Sequence, residues 1–237
     1  MAFNKQSNVY TIIYIVVLVV VVGAALALVA MSLKPLQKAN EDADKMRQIL
    51  ASVHIVPGNG EIVADFDRYI TSQTVVNYKG EVIGDDAFSV NVAAQSKIAD
   101  VSKRELPVYI CTPEDGSTKY IVPVYGAGLW GPIWGYVAID SDGSTIYGAY
   151  FAHQGETPGL GAEIEKPAFS DQFADKQLFK SDRFMPVAVV KAGQKPAGDE
   201  DYVDGVSGGT ITSKGVGSML SNCIAPYEAY LTTLRQK

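Results

Sequence analysis

The chain has 237 residues, 47% of them hydrophobic, and a formal net charge of −6 at pH 7. The acidic balance, with no basic cluster interleaved with aromatics, argues against a nucleic-acid partner. Two cysteines (Cys111, Cys223) and two histidines (His54, His153) without CxxC or HxxxH spacing argue against a metal site. The cysteines can pair only if the fold brings them together; otherwise they serve as small buried hydrophobes.

Residues 1–9 form a short leading segment. From Tyr10 to Leu33 no residue is charged. A helix rises ~1.5 Å per residue, and about 20 apolar residues cross a bilayer core, so 10–33 is predicted to be a single transmembrane helix. The competing reading is a signal peptide cleaved after Ala25-Leu26-Ala27, but the apolar run begins too early and continues through Leu28, Val29 and Met31. Lys5 before the span and Lys34 and Lys38 after it place a slight excess of positive charge on the C-terminal side. By the positive-inside rule that side would be cytoplasmic.

Over 34–56, Leu36, Ala39, Ala43, Met46, Leu50 and Val53 recur at spacings of three and four between charged residues. This pattern predicts an amphipathic connecting helix, with a kink at Pro35 and an end at Pro57-Gly58-Asn59-Gly60. Its apolar stripe has two readings: packing on the chain's own domain, or contact with a partner protein.

The domain at 57–237 reads as α+β with antiparallel sheet. Strands are expected at Val75–Tyr78, Ala87–Val92, Lys119–Tyr125, Ile133–Ile139, Thr145–Phe151 and Val187–Val190. In the fifth, Tyr147, Ala149 and Phe151 would share one face. Asp140-Ser141-Asp142-Gly143 is a hairpin signal; it imitates a calcium loop but lacks the terminal glutamate. Gly193–Glu200 reads as a loop. A last helix is expected from Ser213 to Leu234, capped by Thr212 or Ser213.

Three stretches carry candidate chemistry. YGAGLWGPIWGY (125–136) is either a packed loop with aromatic plugs or a wall beside a planar ligand, with Trp130 as its candidate residue. HQGETPGLGAEI (153–164) either turns a corner or grips a heterocycle through Glu156, Thr157 and Leu160. Asp204-Gly-Val-Ser207-Gly208-Gly209-Thr210-Ile-Thr212-Ser213-Lys214 precedes the last helix and offers backbone N–H groups, hydroxyls and a cation to an anion. Its spacing is neither a P-loop nor GxGxxG, and the plainer reading is a helix cap.

DGVSGGT (204–210) resembles the flavinylation motif Dxx[ST]GAT of the FMN-binding domain family. That resemblance implies FMN held covalently by a phosphoester on Thr210, installed from FAD by a magnesium-dependent flavin transferase. Asp204, Ser207, Gly208 and Gly209 are motif positions, with Thr212 and Lys214 adjoining. Gly209 stands where the family usually has alanine; both are small, so modification is expected to survive.

The order of apolar anchor, KMRQIL, PVYGAGLWGPIWGY, HQGETPGLGAEI and VDGVSGGTITSKGV is similar to the C subunits of sodium-translocating NADH:quinone reductases (Nqr). The G subunits of the related Rnf complex share the anchor and flavin motif and form the alternative. The resemblance implies an electron-relay protein working with five others (A, B, D, E and F), anchored in the inner membrane with its domain periplasmic. That placement runs against the slight charge signal, which rests on few residues. A membrane-anchored flavodomain outside these complexes and a flavin-free structural component are the remaining classes.

Overall fold

The computed structural model describes residues 8–58 and 60–236, so Lys5 and Asn59, invoked above, lie outside the described residues. The chain forms two units, Met1–Lys45 and Met46–Lys237. Helix α1 (Asn8–Ala51) begins in the first and ends in the second, and its helical geometry runs through Pro35. Within the first unit its apolar side chains, from Val9 to Leu33, are exposed on every face. A helix apolar all round is suited to lipid, and this one is long and apolar enough to cross a membrane.

The helix stops at Ala51, earlier than the Pro-Gly signal suggested. The His54 N–H bonds Ala51 O and the Ile55 N–H bonds Leu50 O, each at 3.0 Å, with His54 in the left-handed region at φ 60°. This is a Schellman closure, with histidine where glycine is usual. In the second unit Ile49, Leu50 and Val53 are buried, so this end of the stripe packs on the chain's own domain.

The domain continues with α2 (Ile62–Tyr69), β1 (Ile70–Val76), β2 (Val82–Gly84), α3 (Val92–Gln95), β3 (Leu106–Cys111), β4 (Lys119–Ala127), β5 (Pro132–Asp140) and β6 (Ile146–His153). The six strands form one antiparallel sheet in the order β2-β1-β3-β4-β5-β6. No strand forms at Ala87–Val92: Ala87 is buried, Tyr109 donates its hydroxyl to Ala87 O, and Asn91 caps α3 through the Ala94 N–H.

Alternation along the strands gives the sheet two apolar faces. Val108, Val122, Val124, Ile133 and Val137 face one core, and Tyr109, Cys111, Ile121, Tyr136 and Ala138 face the other. Cys111 and Cys223 thus sit in different cores as free, buried thiols. Burial raises the thiol of Cys111, to about 11, and that of Cys223. Tyr147 does not share a face with Ala149 and Phe151. The β5–β6 register slips between Ala138 and Ile139, and this bulge turns Tyr147 to the second core, against His54 and Lys119. The Asp140–Gly143 turn forms as expected, with Gly143 at φ 67°. Its carboxylates are occupied: Asp142 by the N–H groups of Ser144 and Thr145, and Asp140 by Lys119.

Beyond β6 come α4 (Pro167–Ser170), β7 (Phe179–Lys180), β8 (Arg183–Phe184), β9 (Ala188–Val190), β10 (Tyr202–Asp204), α5 (Thr210–Ile224) and α6 (Glu228–Arg235). The expected single last helix is divided at Ala225–Tyr227, where Pro226 has no N–H to continue the ladder. Val216, Met219, Leu220 and Ile224 of α5 are buried in the first core with Val122 and Val124 of β4. The approach is close: a Cβ at Gly126 would lie 2.8 Å from Met219 Cβ.

Candidate flavin site

Three loops meet where α5 begins: the β4–β5 turn (128–131), the loop after β6 (154–161), and the approach to α5 (205–209). The first two extend from strands of the six-stranded sheet, and the third from β10, which pairs with β9. β10 runs parallel to β9 and hands the chain on through the Gly205 N–H to Val190 O, at 2.7 Å. Gly208 then takes φ 78°, a conformation that favours glycine. A Cβ there would also come within 2.6 Å of Leu160 Cδ2.

Helix α5 starts at Thr210 rather than Ser213, and Gly209 precedes it without a side-chain cap. The expected capping by Thr212 or Ser213 is therefore corrected: both lie in the first turn, buried, with other work. Ser213 Oγ accepts the Val206 N–H at 2.9 Å, bracing the incoming loop. Thr212 Oγ1 donates to Glu156 Oε2 at 2.5 Å. Glu156 Oε1 accepts the Trp130 N–H at 2.8 Å. Burial works to raise the Glu156 carboxyl, but hydrogen bonds from Thr212 and from the N–H groups of Trp130 and Leu129 outweigh it and hold the group below its ordinary range.

Around this join lies a cavity of about 210 Å³, lined by Leu129, Glu156, Thr157, Leu160, Gly161 and residues 208–212. Thr210 is exposed at the helix start, between the exposed apolar side chains of Leu129, Leu160 and Ile211. The structure thus brings together Glu156, Thr157, Leu160, Gly208, Gly209, Thr210 and Thr212 of the sequence candidates. Trp130, Asp204, Ser207 and Lys214 are not among the lining residues. Trp130 is 69% exposed, and it joins the network through its backbone N–H. Asp204 Oδ1 accepts the Gly193 N–H, Ser207 is exposed, and Lys214 lines a separate cleft with Met185, Val189 and Glu200. Leu129, Gly161 and Ile211 were missed. Each adjoins a candidate residue, and only the tertiary fold shows which neighbour borders the cavity.

Apolar walls beside a free hydroxyl at a helix N-terminus suit a planar group tethered through an anion. The chain also matches the FMN-binding domain family over residues 128–225, the stretch that contains all three loops. Fold and site therefore define an FMN-binding domain protein with an N-terminal helix suited to a membrane anchor.

The particular family follows from relatives matched over most of their length. The chain is 34% identical over 231 residues to the C subunit of the Na(+)-translocating NADH-quinone reductase of Vibrio anguillarum, covering 91% of this chain and 90% of that one. To the corresponding C subunit of Yersinia pestis it is 33% identical, over 90% and 87% of the two chains. The crystal structure of the C subunit from Parabacteroides distasonis superposes with a TM-score of 0.77 at 49% identity, covering 84% of this chain and 97% of that one. Shewanella oneidensis NqrC gives 0.68 at 27%, covering 84% and 100%. The chain belongs to the family of C subunits of the sodium-translocating NADH-quinone reductases.

Proposed function

We propose that this protein relays electrons within the reductase, carrying FMN as a phosphoester on Thr210, with its domain on the periplasmic face of the inner membrane and the A, B, D, E and F subunits as partners. The observation that carries the reading is the outward Thr210 hydroxyl at the start of a 15-residue helix, facing a cavity inside the FMN-binding match. Two neighbouring hydroxyls, those of Thr212 and Ser213, are already committed inside the fold.

The chain's own groups explain why attachment needs a second protein. A threonine hydroxyl is a weak nucleophile without an adjacent base, and residues 204–214 contain no histidine. The flavin transferase supplies that base and presents FAD with magnesium. Attachment would join Thr210 Oγ to the flavin-side phosphorus of FAD as the diphosphate linkage breaks, with AMP as the leaving group and the hydroxyl proton passing to the transferase. The resulting phosphodiester bears one negative charge, favoured by the N-terminal end of the helix dipole. When attached, FMN supplies the redox chemistry. The protein's part would be to fix its position, with the apolar Leu129, Leu160 and Ile211 and the polar Thr157 as the cavity residues that would hold it. No residue is needed as an acid or base for the relay itself.

The test is intact mass and ultraviolet fluorescence of the denatured full-length chain, produced in membranes together with the transferase. Wild type carries one FMN mass and fluoresces; Thr210→Ala does neither while remaining folded. Fluorescence surviving in denatured Thr210→Ala would show the acceptor to be another residue.

A further inference from the structure

Glu156 is tied to more of the site than any other side chain lining the cavity. It sits on the loop after β6, and its two oxygens reach backbone on the β4–β5 turn and a hydroxyl on α5, partners 26 and 56 residues away in sequence. Its carboxylate occupies space that side chains at two neighbouring glycines would take. A Cβ at Gly161 would collide with Glu156 Oε2 and Thr212 Oγ1, and one at Gly128 would lie 2.5 Å from Glu156 Oε1. The Glu156 N–H is itself donated to His153 Nδ1, at 3.2 Å. That nitrogen therefore acts as the acceptor, and the other ring nitrogen lies 3.7 Å from the Glu165 carboxylate.

Helix geometry turns this clasp into a statement about Thr210. Successive residues advance about 100°, so residues two apart point to nearly opposite sides. A first turn pinned with Thr212 inward must present Thr210 outward. Helix ends fray, and without the clasp the first turn keeps only the Val206–Ser213 brace three residues beyond Thr210, so the hydroxyl loses its fixed direction.

We propose that Glu156 is a positioning residue for flavin attachment: by holding Thr212 inward against the β4–β5 turn, it fixes the first turn of α5 so that Thr210 is presented to the flavin transferase. The inference rests on Thr210 being the acceptor, and it gives Glu156 a role distinct from touching the flavin ring.

The experiment follows covalent flavin attachment to the full-length chain in membranes containing the transferase, with rates normalised to the folded fraction. Glu156→Ala and Thr212→Val should each slow attachment by tenfold or more. The double variant should be no slower than the slower single one, because both remove the same contact. Glu156→Gln and Thr212→Ser, which can still hydrogen-bond across the join, should recover most of the rate. Wild-type rates in Glu156→Ala and Thr212→Val, with Thr210→Ala dark, would overturn the positioning role alone. Losses that vanish on normalisation, or that multiply in the double variant, would overturn it too. Flavin persisting on Thr210→Ala would instead refute the acceptor assignment beneath it.

Discussion

Replacing Gly161 by alanine should destabilise the domain even though its backbone conformation is open to any residue. Gly161 is absent from the positive-φ glycines, so alanine meets no backbone strain and would gain about 0.4–1 kcal/mol from a less flexible unfolded chain. Against that, its Cβ would collide with Glu156 Oε2 and Thr212 Oγ1. The clasp must open, and a hydrogen bond to a charged group is worth about 1.5–3 kcal/mol. The net loss is then about 0.5–2.6 kcal/mol. For a domain of this size each kcal/mol moves the midpoint by about 2–4 °C, which gives a fall of roughly 1–10 °C. Gly155→Ala is the matched control in the same loop. Nothing lies within 4 Å of its added Cβ and its φ is not positive, so it should hold or raise the midpoint. Thermal melts of the full-length chain, produced without the transferase so that flavin does not contribute, compare the two directly. A Gly161→Ala chain as stable as wild type, or a Gly155→Ala chain that falls equally, would refute the reasoning.

Acid should expose the same clasp. Glu156 has a lowered folded value against an ordinary 4.5, so its contribution is present above that ordinary value and is lost as pH falls through the folded one. Urea midpoints from pH 7 to pH 3 should fall less steeply for Glu156→Gln than for wild type; parallel curves would deny the carboxylate that part. Leu160→Ala should leave covalent flavin stoichiometry intact while altering the visible spectrum and reduction potential, since ring environment tunes the cofactor. An unchanged spectrum and potential would move the ring away from this loop. A cysteine introduced in the exposed loop at 193–200 should react with a membrane-impermeant thiol reagent once the outer membrane alone is permeable, because Cys111 and Cys223 are buried; labelling only after inner-membrane lysis would place the domain in the cytoplasm.

The parts of the fold that local sequence decides were legible. The apolar run, the Asp-Gly turn and the alternating β4–β6 strands each carry their signal within a short stretch of chain. The parts that failed depend on distant partners. Ala87–Val92 has strand-like composition, yet Ala87 is held by the Tyr109 hydroxyl from another element. Tyr147 follows strict alternation until a bulge, set by pairing with β5, turns it over. His54 closes α1 in a conformation that histidine seldom adopts, so no glycine marked the end. At the site, the hydroxyl-rich stretch before α5 was visible as an anion-binding candidate. Its connection to Glu156 crosses 56 residues, and no spacing rule reports that. Thr212 and Ser213 read as caps because capping is what such residues usually do. Here Gly209 takes the capping position, and their hydroxyls brace loops instead.

Those braces explain how a glycine-rich entry delivers a hydroxyl in a defined direction. Gly205, Gly208 and Gly209 make the approach to α5 permissive, and permissive backbone alone would leave Thr210 mobile. The N-terminal end of α5 is therefore held from outside, by Val206 on Ser213 and by Glu156 on Thr212. The opposite end is held as firmly. Buried Arg104 donates to Asn222 O and Asn222 Oδ1, at 2.9 and 3.1 Å, and to Ile98 O at 2.7 Å. A cation is favourable where a helix leaves its carbonyls unpaired, and here it also joins the helix to the segment before β3. Between the two ends, Val216, Met219 and Leu220 are buried in the sheet's first core. The helix is thus located along its length by the core and at its termini by polar contacts. The residues left exposed are those that border the cavity, Thr157, Leu160, Thr210 and Ile211, which is the access that the proposed attachment at Thr210 requires.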